Sequence, residues 1–229
     1  MGCERSGTSA VSTLLKVGSG WTLLDDPVES WYIYPMVFRV GYGMPLKFWL
    51  KLRKHRIVKV PGFATILPYL RRRYLGDFTA VYCLRDPRDV VASILERMEQ
   101  GYTPLFTDVT WLGIRVRDPV EALAWRWRRY LESMMAYRAD KGSVVILRYE
   151  GFCSDKQGTL EEVAQAVRMP FSGDRVLSML DRQFRKGWSD TIAGPGRWRR
   201  DLDSGSVRSI EGICGTLMNR WDYDLGDYN

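Results

Sequence analysis

Two short segments of this chain carry glycine, hydroxyl and arginine side chains where an anion could be held. Gly2-Cys3-Glu4-Arg5-Ser6-Gly7-Thr8-Ser9 runs straight into an apolar helical pattern. Leu84-Arg85-Asp86-Pro87-Arg88-Asp89-Val90-Val91-Ala92-Ser93 follows a β-rich run and opens another helix. A helix N-terminus presents unpaired N–H groups and partial positive charge, so each segment suits a phosphate. In the first, Gly7 lets the backbone approach an anion, the N–H groups of residues 7–9 can wrap it, and Thr8 and Ser9 add hydroxyl donors. In the second, Arg85 offers a forked, charge-assisted partner that a lysine would not reproduce. Two such loops in one chain predict a ligand with two separate phosphate ends.

The elements that position these loops are legible from periodicity and punctuation. Ala10, Val11, Leu14 and Leu15 recur at helical spacing, and Gly18 and Gly20 end that helix. Lys47 to Arg56 is basic and helical in character, and Ile57 to Val60 reads as a short strand stopped by Pro61-Gly62. Phe78 to Leu84 reads as a buried strand of a parallel sheet. Asp86 then caps a helix with Pro87 at its first position and Asp89 completing the cap. Asp118-Pro119-Val120-Glu121 is a capping box for a long helix through Trp125, Trp127, Leu131 and Met135. Val144 to Leu147 is a further strand, a helix follows from near Gly158-Thr159, and weaker helices are expected at 173–186 and 204–221. Strands alternating with helices predict one α/β domain over residues 1–229, with a central, mostly parallel sheet flanked by helices and a P-loop-like nucleotide site. A loop such as 2–9 ought to follow a β-strand, and almost nothing precedes it.

Composition sets outer bounds. The net charge of +7 favours anionic partners without choosing among them. Cys3, Cys83, Cys153 and Cys214 lack Cys-x-x-Cys spacing, and Cys83 lies in an apolar strand pattern, so reduced thiols are expected. The phosphate loop begins almost at Met1 and no apolar run approaches the roughly 18 residues of a membrane span. Those features predict a cytoplasmic protein with no signal peptide and no membrane span.

Four segments together resemble the sulfotransferase family that uses 3′-phosphoadenosine 5′-phosphosulfate (PAPS). Arg5-Ser6-Gly7-Thr8-Ser9 looks like the family's 5′-phosphosulfate loop, and Arg85 with Ser93 matches its 3′-phosphate pair. Arg148-Tyr149-Glu150 resembles the family's Arg-Tyr-Glu-Asp sequence, with Gly151 in place of the final Asp. Gly196-Arg197-Trp198-Arg199, followed by Asp201-Leu202, resembles the late loop that closes over the nucleotide. The resemblance implies sulfonate transfer from PAPS to a hydroxyl or amine acceptor, with no metal, no nucleic acid and an unidentified acceptor. It implies that Arg5 bridges the 5′-phosphate and the sulfonate, that Tyr149 contacts adenine, and that Arg197, beside Trp198, reaches toward the 3′-phosphate.

The base is less defined. Many members of the family use a His within Lys-x-His, but here Val58-Lys59-Val60-Pro61 puts Pro61 in that place. The single histidine, His55, reads as a surface residue. Other branches use a carboxylate after the first helix, where Glu29 fits, with Asp25 and Asp26 as rivals; Lys59 is expected to assist electrostatically. Two other classes compete. A kinase or NTPase is disfavoured because the first loop lacks the Gly-Lys-Ser/Thr ending. A catalytically degenerate nucleotide binder or a polyanion-binding module remains compatible with the charge.

Overall fold

The computed structural model describes residues 1–28, 30, 45–72, 78–101, 109–140, 142–184 and 194–225. In chain order its elements are α1 (Thr8–Ser19), β1 (Leu23–Asp25), α2 (Leu46–Arg53), β2 (Ile57–Lys59), a 3₁₀ segment (Pro61–Ile66) running into α3 (Leu67–Leu70), and β3 (Thr79–Leu84). There follow α4 (Pro87–Glu99), a 3₁₀ turn (Thr110–Leu112), α5 (Pro119–Ala139), β4 (Ser143–Arg148), α6 (Tyr149–Ser154), α7 (Lys156–Ala166), α8 (Gly173–Phe184), α9 (Trp198–Asp201) and α10 (Ser204–Arg220). Among the described residues no helix is long and apolar enough to cross a membrane. All four cysteines are free thiols.

Local chemistry explains where the main elements begin. The Asp86 carboxylate accepts the Arg88 N–H at 2.8 Å and Pro87 sits in the first turn, where its missing N–H costs nothing. Asp118 accepts the Glu121 N–H in the same way at the start of α5. Asp155 caps α7 by accepting the Gly158 N–H, which moves that helix start ahead of the Gly158-Thr159 position expected from sequence. The short helix α6, directly after β4, has no apolar period long enough to announce it.

The strands are parallel, but they do not form the single central sheet expected. β1 pairs with β2, Leu23 opposite Ile57 through Asp25 opposite Lys59. β3 pairs with β4, Thr79 opposite Ser143 through Leu84 opposite Arg148. Among the described residues these are two separate two-stranded sheets. A cavity of about 600 Å³ intervenes, with Ile57 and Lys59 on one wall, Val81 and Cys83 on another, and Val11 and Thr8 of α1 beside them. At the cavity's edge the Met1 ammonium donates to the Val81 carbonyl at 2.7 Å, and the Cys83 N–H donates to the Met1 carbonyl at 2.9 Å. That alternation is parallel-strand bonding one residue long. The first loop therefore leaves the edge of β3 as it would leave a strand. Burial lowers the pKa of the Met1 ammonium.

β3 is sandwiched between two cores. Tyr82 and Leu84 face Val90, Val91 and Ile94 of α4, Trp127, Tyr130 and Leu131 of α5, and Ile210 and Met218 of α10. Cys83 faces the opposite way, into Val11, Leu14 and Leu15 of α1 with Leu160 and Val163 of α7. This alternation brings both candidate loops, which flank β3, against the same layer of packed helices. Trp127 is the central plug: it is buried, and its indole N–H donates to the Arg85 carbonyl at 3.0 Å. Trp127→Ala should cost about 3–5 kcal/mol in denaturant melts. Trp127→Phe, which keeps most of the volume but strands the Arg85 carbonyl, should cost about 1–3 kcal/mol.

Candidate functional site

The first loop folds through a left-handed backbone. Arg5 has φ 66° and Gly7 has φ 83°. Gly7 is required twice over, because a Cβ there would also lie 2.3 Å from the Tyr149 ring. Arg5 has no such exemption, and its conformation costs on the order of 1–3 kcal/mol unless neighbours impose it. Two anchors do. Its own carbonyl accepts from Arg85 Nη1 at 2.9 Å, and the preceding Glu4 is clamped by α5. Arg126 Nη2 and Nε donate to the two Glu4 carboxylate oxygens at 2.6 and 3.0 Å, and the Tyr130 hydroxyl donates at 3.1 Å. Burial works against the Arg126 charge, but Glu4 outweighs it and the guanidinium pKa is held above its ordinary value.

The loop and the 3′-type pair are one structure. Arg5 Nε donates to Ser93 Oγ at 3.0 Å, so the two ends of the sequence motif meet directly. Arg85 lies with its guanidinium 4.3 Å from the centre of the Tyr149 ring. Tyr149 is therefore packed under Gly7 and against Arg85, and burial raises its hydroxyl pKa. Glu150, next in the chain, accepts the Asp86 N–H at 2.9 Å and ties β4's end to the start of α4.

Within this assembly several donors are buried without a hydrogen-bond acceptor: Ser6 Oγ, Arg85 Nε and Arg85 Nη2. No side chain caps the N-terminus of α1 beside them. Burial, then the like charges of Arg97 and Arg85, lower the Arg5 guanidinium pKa. Positive charge, buried donors without acceptors and an uncapped helix start are thus gathered at one place, a combination whose chemistry favours an anion. Thr8 is buried in the first turn of α1, whereas Ser9 is exposed.

The tips of β1 and β2 carry the acid–base cluster. The buried Lys59 ammonium lies 3.1 Å from Asp25 Oδ1 and 3.6 Å from Asp26 Oδ2. Burial raises the Asp26 carboxyl pKa and Glu4 adds to the rise, with Lys59 opposing both. Asp26 thus feels the first loop. Glu29, the favoured base from sequence, lies outside the described residues. His55 sits at the end of α2 with Nδ1 2.9 Å from the Lys51 carbonyl oxygen.

The late segment reaches the site through α4. Asp89 does not complete the cap of its own helix, as the sequence suggests; the Asp86 side chain does that work. The Asp89 carboxylate instead accepts the N–H groups of Gly196 and Trp198, at 2.7 and 3.0 Å. The Trp198 indole lies between Arg88, 4.0 Å from its centre, and Arg199, 4.5 Å from it. Arg197 is engaged by Glu96 at 3.0 Å and by Asp201 at 2.6 Å. The clamp on Glu4 and the second role of Asp89 are the features that sequence reading missed, because their partners lie more than a hundred residues away.

No protein-family model and no curated relative matches this chain. Solved structures do, three sulfotransferases among them. The sulfotransferase domain from the curacin biosynthetic pathway aligns with a TM-score of 0.60 at 15% identity, over 98% of this chain and 96% of that one. A sulfotransferase from Mycobacterium avium aligns at 0.58 and 14% identity, over 98% of this chain and 76% of its own. A sulfotransferase from Alicyclobacillus acidocaldarius aligns at 0.51 and 14% identity, over 98% and 95%. The chain has a sulfotransferase fold. The Glu4–Arg126 clamp gives this sulfotransferase fold a direct test. Glu4→Ala should lose about 3–5 kcal/mol in denaturant melts, because the buried Arg126 charge loses its carboxylate partner. Glu4→Ala combined with Arg126→Met should regain most of that loss.

Proposed function

We propose that this protein transfers a sulfonate from PAPS to a hydroxyl or amine of an acceptor by in-line displacement. The observation that carries the reading is the set of buried, partnerless donors on Ser6 and Arg85, in a fold shared with sulfotransferases. PAPS, when bound, supplies a sulfonate on a phosphosulfate linkage, and the protein's task is then to position groups and neutralise charge.

In this reading Ser6, Gly7, Thr8 and Ser9 bind the 5′-phosphosulfate end through side-chain and backbone donors at the start of α1. Arg5, bonded to Ser93, stabilises the charge that develops between the phosphate and the sulfonate. Arg85 and Ser93 hold the 3′-phosphate. Tyr149 supports Arg85 from below the loop and contacts the adenine. Arg197 and Trp198 belong to the strap that closes over the nucleotide, and Lys59 lends positive charge near the transferring group.

The acceptor proton goes to a carboxylate in the segment after α1. Asp26 is the stronger rival to Glu29: it directly follows β1, lies 3.6 Å from the Lys59 ammonium, and has its carboxyl pKa raised by burial, the direction that favours a general base. No metal enters this scheme, and the acceptor is a molecule whose hydroxyl or amine reaches that carboxylate.

Arg85→Ala should weaken binding of adenosine 3′,5′-bisphosphate by about 1.5–3 kcal/mol in calorimetry, and by more than it weakens binding of 5′-AMP. Equal binding of ADP and the bisphosphate by the unmodified protein would remove the nucleotide assignment. A base must be ionised, so turnover falls as pH drops through its pKa. The raised Asp26 pKa places that acid limb above the ordinary aspartate value of about 3.9. Asp26→Asn should abolish the limb and lower kcat by about 10²–10⁴-fold; a limb that survives there and disappears in Glu29→Gln assigns the base to Glu29.

A further inference from the structure

Asp89 stands between two parts of the site that the function above treats separately. It is fully buried in the first turn of α4. Its Oδ1 accepts the Trp198 N–H and its Oδ2 accepts the Gly196 N–H, so each carboxylate oxygen holds one end of a three-residue strap. Oδ2 also lies 3.9 Å from Arg85 Nη2. That separation is too long for a hydrogen bond but short enough for strong attraction inside a protein. The carboxylate therefore orients the Arg85 guanidinium without consuming its donors. Nε and Nη2 stay available, and they are the donors found without acceptors.

Neighbouring groups reinforce the strap. Gly196 takes φ 85°, a conformation that lets its N–H turn toward Asp89. Arg88, the residue before Asp89, is fixed by Asp86 and by Glu211 of α10 and stacks on the Trp198 ring. Arg197 is pinned to α4 by Glu96. The strap is thus attached to α4 at three consecutive residues, and Asp89 is the attachment that also faces Arg85.

We infer that Asp89 is a positioning residue that couples occupation of Arg85 by a phosphate to closure of the 196–198 strap. The inference rests on the nucleotide reading proposed above. An anion on Arg85 fixes the guanidinium, the guanidinium fixes Asp89, and Asp89 holds the strap N–H groups. Coupling of this kind is reciprocal, so a loosened strap must weaken the phosphate site by the same factor.

The test compares adenosine 3′,5′-bisphosphate with 5′-AMP on the full chain, by calorimetry and by amide hydrogen exchange at Gly196 and Trp198. In the unmodified protein the bisphosphate should slow exchange at both amides about tenfold or more, and 5′-AMP should not. Asp89→Asn should reduce bisphosphate affinity about tenfold or more and leave 5′-AMP affinity within about twofold. An equal loss for both ligands means Asp89 is only structural and overturns the inference. If Asp89→Asn does not fold, exchange in the unmodified protein decides: a bisphosphate that binds tightly without protecting the two amides overturns the inference and leaves the nucleotide reading standing. No preference for the bisphosphate over 5′-AMP overturns both.

Discussion

The Arg85 guanidinium is buried among groups drawn from four parts of the chain. Its Nη1 donates to the Arg5 carbonyl in the first loop, its plane lies over Tyr149 at the end of β4, and Asp89 of α4 faces its Nη2. The residue's own carbonyl is held by Trp127 of α5. A buried arginine cannot discard its proton, so its surroundings must be arranged around a permanent charge. Here they leave that charge incompletely satisfied. The left-handed turn at Arg5, the requirement for glycine at position 7 and the position of Tyr149 all follow from where this one cation sits.

The same principle, buried charge held by selected partners, recurs around the site and separates framework from function. Arg126 is satisfied by Glu4, and Arg88 by Asp86 and Glu211. These arginines are framework, since their hydrogen-bonding capacity is directed inward at carboxylates. Arg5 and Arg85 differ in having a serine hydroxyl, a carbonyl and a distant carboxylate as company. Among these arginines, the ones least engaged by carboxylates lie where the two loops meet. Lys59 is a third case: a buried ammonium shared by two aspartates, one of which is held partly away from its ordinary titration range.

Much of this was legible in the chain before folding. The Asp86-Pro87 helix start, the Asp118 cap and the strand patterns ending near Leu84 and Leu147 depend on interactions within about four residues, which local patterns report directly. The helices expected at 173–186 and 204–221 end within about two residues of those observed, an ordinary discrepancy for helix termini. What was not legible depends on distance. Glu4 reads as an ordinary loop residue until Arg126 arrives from 122 positions away. Asp89 reads as part of a helix cap until Gly196 approaches. Helix α6 is one turn and a half set by packing of Tyr149 and Phe152, not by period. The division into two small sheets reflects edges that face a cavity, and an apolar strand pattern does not say which edge finds a partner.

The two strand pairs have a consequence for the order in which the molecule assembles. Parallel partners cannot be joined by a tight turn. Residues beside β1 and β2 meet across 34 positions, and Thr79 meets Ser143 across 64. Neither sheet gains a hydrogen bond until a long loop has closed, and loop closure is an entropic cost met before any reward. The segment inside the longer loop is mostly α4 and α5, whose caps are local and whose apolar faces meet each other. Local contacts can therefore fold that segment before either sheet closes. The junction of the two loops, where Arg85 reaches the Arg5 carbonyl and Tyr149, needs β3, β4 and the start of α1 together, so its integrity is a report on the whole topology.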